Sequence, residues 1–554
     1  MKVNLNLISD FNLELLKRII ESRNLSEINS VQTSSYGQLY QSIFSFKEDI
    51  NAIIFIWSLP ESHIKSFKNA LNFEDIDKSK LIEEVEEYTN LIINLSKKCK
   101  FILIPIWQRL PHYKTYGVID WKIESGISKL ILEMNLLLSN NFKEISNIYL
   151  IDSSEWQLNN LEYMNPKIWY LAKTPFTNNI FSKVSETIIY SIRSLSGNNK
   201  KLIVLDLDNT LWGGLIGELS YKGINLGGHN HIGEAFQDFQ KSLLALHNRG
   251  ILLAIASKND EGIALQAFDK NSEMILREEH FVAKEINWDD KATNIVKIAN
   301  DINIGLDSIV FIDDNPVERE QIKIMLPEVY VPDWGIDPSM FSIKLNSLRC
   351  FDQGSLTIDD KIRNKTYLEN RLRESSKQKI INKDDWLKEL NTIIEIGTLT
   401  QDNLQRVSQL FNKTNQFNLT TRRLSSDEIE KYYSNDQNNL ITINVKDKFG
   451  QLGLVGLIGL SISQENKLFV VDLILSCRAM GRGVEETMLY LISNKSKDNF
   501  AKGFTIYYKK SEKNNPILHF LKSTKLKNEN DIKFYSNNIN NFPKPASVEI
   551  VYKN

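Results

Sequence analysis

Cysteine is scarce in this chain: Cys99, Cys350 and Cys477 are the only three in 554 residues. They lie far apart and form no Cys-x-x-Cys pair, which excludes a disulfide framework and points to a reducing, cytoplasmic setting. Net charge is nearly absent too. Lys and Arg total 67 against 69 Asp and Glu, a formal charge of −2, so nothing draws the whole molecule to nucleic acid or to an anionic membrane surface. No apolar run approaches the length that inserts across a bilayer. Met1 to Phe11 alternates apolar with polar residues, unlike the basic flank and apolar stretch of a secretory signal. What remains is a globular composition too long for one core, roughly two to four domains.

Short apolar runs at Asn51–Trp57, Lys100–Trp107 and Ile145–Ile151 alternate with helical patterns such as Ser79–Ser96. That alternation predicts an α/β domain over residues 1–197, closed by a helix from Phe181 to Leu195 and the Ser196-Gly197-Asn198-Asn199 turn. Residues 198–350 carry buried-strand signals at Leu202–Leu207, Ile251–Ala256 and Ser308–Ile312, each followed by polar residues. A doubly wound parallel sheet with its chemistry at the carboxyl ends of the strands fits this pattern. Residues 351–383 are charge-rich and read as a helical linker. Residues 384–554 predict a further α/β module: a helix at Gln401–Thr414, a hairpin across Leu440–Leu460, a strand at Leu468–Leu475 and a helix from Val484. The Asn- and Lys-rich stretch Lys525–Asn541 reads as a surface loop.

The first strand of the middle region ends in Asp206-Leu207-Asp208-Asn209-Thr210. Asp206 is placed to attack phosphorus; Asp208, two residues on and therefore on the same side of an extended chain, to protonate the leaving oxygen and then activate water. Thr210 is placed to orient the pair, and Trp212-Gly213-Gly214 reads as a flexible turn beside the pocket. An Asp-x-Asp-x-Thr alone is a weak signal, because acidic residues after strands often cap helices. The next strand ends in Ser257-Lys258-Asn259-Asp260, Lys291 opens a later helix, and the third strand ends in Asp313-Asp314-Asn315-Pro316. Ser257, Lys258 and Asn259 can bind phosphoryl oxygens, Lys291 supplies a cation, and Asp313 and Asp314 an acidic metal site. His229 and His231, in a Gly-containing loop, read as solvated rather than zinc-binding.

This region resembles the haloacid-dehalogenase (HAD) superfamily, whose four motifs fall on Asp206/Asp208, Ser257, Lys291 and Asp313/Asp314. The resemblance implies Mg²⁺ held by Asp206, the main-chain carbonyl of Asp208 and Asp314, with Asp313 in a supporting role exchangeable with that of its neighbour.

Towards the carboxyl terminus, Cys477-Arg478-Ala479-Met480-Gly481-Arg482-Gly483 joins an apolar strand to a helix. Such a turn lets main-chain N–H groups approach a phosphate, and Arg478, Gly481 and Gly483 resemble the pyrophosphate loop of GNAT acyltransferases. Cys477 is either a nucleophile, its thiolate favoured by Arg478, Arg482 and the helix amino end, or a packing cysteine. Arg422 and Arg423 could bind a substrate phosphate or an acidic partner surface, although such pairs are more often solvated.

Together, the 205–214 segment, Gly233-Glu234-Ala235-Phe236-Gln237, the Ser257 and Asp313 segments, Thr414-Asn415-Gln416-Phe417-Asn418-Leu419-Thr420-Thr421-Arg422-Arg423 and the Cys477 turn resemble the FkbH-like family. That resemblance implies a multidomain α/β protein with a central HAD-like parallel sheet. An SGNH-like α/β domain lacking a Gly-Asp-Ser nucleophile block would precede it, as scaffold or docking module, and a GNAT-like domain would follow. It further implies glyceryl transfer from 1,3-bisphosphoglycerate to the phosphopantetheine thiol of an acyl carrier protein, with loss of phosphate. A plain Mg²⁺-dependent small-molecule phosphatase with a degenerate GNAT-like lid, a non-catalytic carrier-docking protein and a CoA-dependent acetyltransferase are the rival readings.

Overall fold

Apolar runs bounded by turn residues become strands because only a covered sheet satisfies their backbone while burying both faces. In the computed structural model, which describes residues 2–157, 163–197, 199–228, 230–353, 383–463, 467–498, 503–511 and 513–553, they fall into two units, Met1–Ser191 and Ile192–Asn554. Residues 354–382 of the predicted 351–383 linker helix, and His229, lie outside the described residues.

The first unit holds β1 (Val3–Ser9), β2 (Ile28–Thr33), β3 (Asp49–Trp57), β4 (Cys99–Pro105) and β5 (Ile148–Ile151). They form one parallel sheet in the order β2-β1-β3-β4-β5. Ala52 to Trp57 of β3 are all buried. The helix Lys78–Ser96 begins where the Asp77 side chain accepts from the Ser79 N–H at 2.9 Å, which satisfies one of the donors a helix start leaves open. The alternating Met1–Phe11 stretch contains β1, with Val3, Leu5 and Leu7 buried and Asn4 and Asn6 half-buried.

In the second unit β6 (Leu202–Leu205), β7 (Leu252–Ser257), β8 (Phe281–Ile286) and β9 (Ile309–Ile312) make a parallel sheet in the order β8-β7-β6-β9. Alternate residues of β6 feed two cores: Ile203 and Leu205 pack with Trp212, Phe239 and Trp334, while Leu202 and Val204 pack with Ile295, Ile298 and Phe311. The sequence signalled three of these strands and not β8, whose apolar run is only Phe281-Val282-Ala283 before Lys284 and Glu285.

The same unit continues as a mixed sheet of β10 (Thr392–Thr398), β11 (Asn438–Asp447), β12 (Gly450–Ile462), β13 (Leu468–Leu475), β14 (Phe504–Tyr507), β15 (Lys527–Glu529), β16 (Lys533–Ser536) and β17 (Val548–Tyr552). Its order is β15-β16-β14-β13-β12-β11-β10-β17. β13 and β14 pair in parallel only from Leu468 to Val470; β13 then runs on to the Cys477 turn. The expected surface loop at Lys525–Asn541 is corrected: it contains the antiparallel β15–β16 pair, and Phe534 is fully buried. The protein is therefore a multidomain α/β molecule, with two parallel sheets and one mixed sheet among the described residues. Among the described residues no helix is long and apolar enough to cross a membrane.

Candidate active site

The register of β6 against β9 sets Leu205 opposite Ile312, so Asp206 and Asp313 leave adjacent strands side by side. Asp206 donates its main-chain N–H to the Ile312 carbonyl at 3.0 Å. Lys291, first residue of the helix Lys291–Asp301, reaches between them: its Nζ lies 3.0 Å from Asp206 Oδ1 and 2.6 Å from Asp313 Oδ2. All three are buried. Asp313 Oδ1 accepts from the Asn315 N–H at 2.8 Å, so both of its oxygens have donors. Asp314 is less buried and shares a hydrogen-bond pair with Thr210, whose Oγ1 donates to Asp314 Oδ1 at 3.3 Å or accepts from the Asp314 N–H at 3.1 Å.

Burial pushes Asp313 up to about 6, the charge of Asp206 adds to the rise, and Lys291 opposes it. Asp314 is raised for the same two reasons, burial first. Burial works against the Lys291 ammonium, yet Asp206 and Asp313 outweigh it and hold its pKa above the ordinary value. One carboxylate oxygen from each of Asp206, Asp313 and Asp314 lies within 4.8 Å of the others. Three carboxylates against one ammonium leave excess negative charge in a buried space, and an all-oxygen donor set of this kind suits a hard divalent cation.

Asp208, two residues after Asp206, is held by three N–H donors. Its Oδ1 accepts from Trp212 Nε1 at 2.9 Å and from the Ile216 N–H at 3.0 Å, and its Oδ2 accepts from Asn259 Nδ2 at 3.1 Å. Trp212 is thus a fully buried positioning residue rather than part of a flexible turn. The chain reaches it through Asn209, whose φ of 54° is unusual for a non-glycine residue and whose Oδ1 accepts from the Gly214 N–H at 2.8 Å. Ser257, at the end of β7, is buried, and its Oγ lies 3.1 Å from Asn259 Nδ2. Lys258 pairs with Glu318 at 2.8 Å. Arg319 was not anticipated: its Nη1 donates to the Asp313 and Asp314 carbonyls at 2.8 and 2.7 Å, fixing the acidic pair from one helical turn away.

The other predicted residues do not join this cluster. Arg422 and Arg423, read from the sequence as binding a substrate phosphate or an acidic partner surface or as solvated, have internal partners. Arg422 forms an ion pair with the buried Asp472, which also accepts from Tyr433 at 2.5 Å, and stacks 4.7 Å from the Tyr432 ring centre. Arg423 donates to the carbonyls of Phe411 at 2.6 Å and Thr414 at 3.2 Å. Gly481 and Gly483 have φ of 76° and 79°, as the turn requires. The Gly481 N–H donates to Glu485 Oε1 at 2.6 Å. Arg478 is buried and Arg482 pairs with Asp447 at 3.6 Å. Half-buried Cys477 lines a cavity of about 430 Å³ that also touches Lys201, Arg406 and Lys413. Cys99 and Cys350 are each pushed up to about 12 by burial. In the first unit, Asp10 accepts from Ser62, whose Oγ is 3.2 Å from His63 Nδ1. The hydroxyl stands between acid and imidazole, whereas a nucleophile relay puts the imidazole in the middle.

An acid phosphatase family model matches residues 198–350. The chain is similar to the N-terminal part of a Bacteroides fragilis protein containing a phosphatase domain, crystallised with Mg, at 27% identity and a TM-score of 0.58 over 64% of this chain and 95% of that one. It is also similar to a Vibrio cholerae spermidine N-acetyltransferase in complex with CoA and spermine, at 16% identity and a TM-score of 0.21 over 26% of this chain and 94% of that one. A GNAT-family acetyltransferase of Staphylococcus aureus gives 12% identity and a TM-score of 0.20 over 26% of this chain and 97% of that one. No curated protein matches the chain. Residues 198–350 are a HAD-like phosphatase domain.

Proposed function

We propose that the protein transfers a glyceryl unit from 1,3-bisphosphoglycerate to the phosphopantetheine thiol of an acyl carrier protein and removes its remaining phosphate, with Mg²⁺ as cofactor. The observation that carries the phosphatase half is the buried Asp206–Lys291–Asp313 triad with Asp208 locked beside it. Asp206 attacks the phosphorus of the phosphate ester, the P–O bond to the glyceryl oxygen breaks, and Asp208 gives that oxygen a proton. Water then attacks the aspartyl phosphate, Asp208 takes its proton, and inorganic phosphate leaves with Asp206 restored. Lys291 keeps Asp206 oriented and offsets charge gathering on the phosphoryl oxygens. A bound Mg²⁺, held by Asp206, the Asp208 carbonyl and Asp314, would polarise the phosphoryl group. Asp313, with both oxygens already satisfied, suits the supporting role.

The acyl half is supported by Cys477 in its cavity. Lys201, Arg406, Lys413 and Arg478 are among the residues lining that cavity. An acyl phosphate is already activated, and a thiolate held beside it needs only to be positioned. Glu485 at Gly481 speaks against a CoA acetyltransferase.

Intact-mass analysis of the carrier after incubation with Mg²⁺ and enzymatically generated 1,3-bisphosphoglycerate tests the reading. A glyceryl adduct that needs both Asp206 and Cys477 is expected. Phosphate release that depends on Asp206, with no carrier adduct and no effect of Cys477→Ala, would reduce the protein to a small-molecule phosphatase.

A further inference from the structure

Lys258 and Glu318 link the two strands that flank the nucleophile. In the order β8-β7-β6-β9, β7 and β9 stand on either side of β6, about 10 Å apart at roughly 4.8 Å per strand. Lys258 follows the last residue of β7, Glu318 lies in the helix Pro316–Met325 after β9, and Lys258 Nζ is 2.8 Å from Glu318 Oε1. The Glu318 side chain is 13% exposed, and its Oε2 is buried without a hydrogen-bond partner. An unmatched buried oxygen costs stability; what accompanies it here is one fixed position for the ammonium of a side chain that stays 38% exposed. Among the described residues Glu318 is the single hydrogen-bond partner of that ammonium, so two of its three N–H donors remain for a ligand. The surrounding charge makes them matter. Segments 206–210, 257–260, 287–291 and 313–315, at the carboxyl ends of the four strands, carry seven Asp and two Lys. Lys291 is committed to Asp206 and Asp313, which leaves Lys258 to meet an anion from solvent.

Depth orders the roles. Asp206, Ser257 and Lys291 are buried and surround the place of the phosphoryl group. In an in-line displacement the leaving oxygen departs on the side away from the nucleophile, which for a buried Asp206 is the side of solvent. The alcohol part of the substrate therefore passes the level of Lys258. Resting on the phosphatase step proposed above, we infer that Lys258, held by Glu318, reads the leaving alcohol rather than the phosphoryl group, and that the site selects phosphate monoesters whose alcohol carries a carboxylate or carbonyl oxygen. Lys258 donates to that oxygen and stays outside the bond changes: Asp206 takes the phosphoryl group and Asp208 gives the alcohol its proton. Its contribution is the same before and during P–O cleavage, so it enters KM rather than kcat.

The test compares phosphate release from 3-phosphoglycerate and glycerol 3-phosphate, which differ in a carboxylate against a hydroxymethyl group, by the 554-residue chain with Mg²⁺. A charge-assisted hydrogen bond predicts a wild-type kcat/KM roughly tenfold higher for the carboxylate ester, through KM. Lys258→Met should bring the ratio close to one, and Lys258→Arg should keep most of it. Glu318→Gln, which leaves Lys258 an acceptor oxygen but removes a competing charge, should raise it. A ratio near one in wild type overturns the inference, as does Lys258→Met lowering both esters alike, the mark of a merely structural ion pair. If wild type releases phosphate from neither ester, or Asp206→Asn releases it as fast, the phosphatase step itself falls and the inference with it.

Discussion

Lys291 is the most demanding residue of the site. Its ammonium separates two buried carboxylates that would otherwise repel one another, and removing one partner of a buried ionic group costs about 3–5 kcal/mol. Lys291→Met should therefore lower stability by that order and abolish phosphate release; urea unfolding and a phosphate assay check the two effects. Trp212 offers a finer probe because it touches Asp208 through one atom. Trp212→Phe keeps an aromatic ring in the core, leaves a small void where the indole stood, and deletes the 2.9 Å hydrogen bond to Asp208 Oδ1. Losing about 1–1.5 kcal/mol of orientation predicts a roughly tenfold lower kcat with KM little changed. An unchanged kcat would mean that the Ile216 and Asn259 donors hold Asp208 unaided.

At the scale of elements, the β15–β16 hairpin separates surface from core. Were Lys525–Asn541 a solvated loop, Phe534→Ala would cost little; with Phe534 fully buried at the sheet edge, about 3–5 kcal/mol is expected in chemical denaturation. The end of β1 carries a pH signature. Burial raises Asp10 from 3.8 to about 6, against the hydrogen bonds from Ser62 and the Leu59 N–H. The folded unit holds this proton more tightly than the unfolded chain, so the stabilisation is fully present below about pH 4 and is lost as pH rises through about 6. Burial pushes His63, beside Ser62, down to about 3, an opposing contribution lost as pH falls below about 6.5; amide hydrogen exchange over Val3–Ser9 in wild type relative to Asp10→Asn, which share it, should therefore show the wild-type advantage in protection shrinking from pH 4.5 to pH 7.5.

At the scale of the whole molecule, both candidate catalytic centres lie in the Ile192–Asn554 unit. A chain beginning at Lys200 is expected to keep Asp206-dependent phosphate release with unchanged KM, measurable on a small phosphate ester; loss of activity in a folded truncation would give the first unit a catalytic part. By itself the sequence determined the local chemistry. An apolar strand that ends in Asp-x-Asp or Asp-Asp presents those carboxylates at its carboxyl end, so Asp206, Asp208, Ser257, Asp313 and Asp314 stood out from strand patterning, whereas Lys291, at a helix start, joined them through the resemblance to the HAD motifs. Tertiary structure decided what depends on partners distant in the chain. Arg422 and Arg423 look like anion ligands until Asp472 and the Phe411 carbonyl claim them, and the Gly481 turn looks like a phosphate cradle, where Glu485 accepts from the Gly481 N–H. Only the tertiary structure brought the Cys477 turn beside Asn303, before β9, while Asp206 leaves the carboxyl end of β6, because strand direction and pairing are set by packing across the core, which spacing along the chain does not encode.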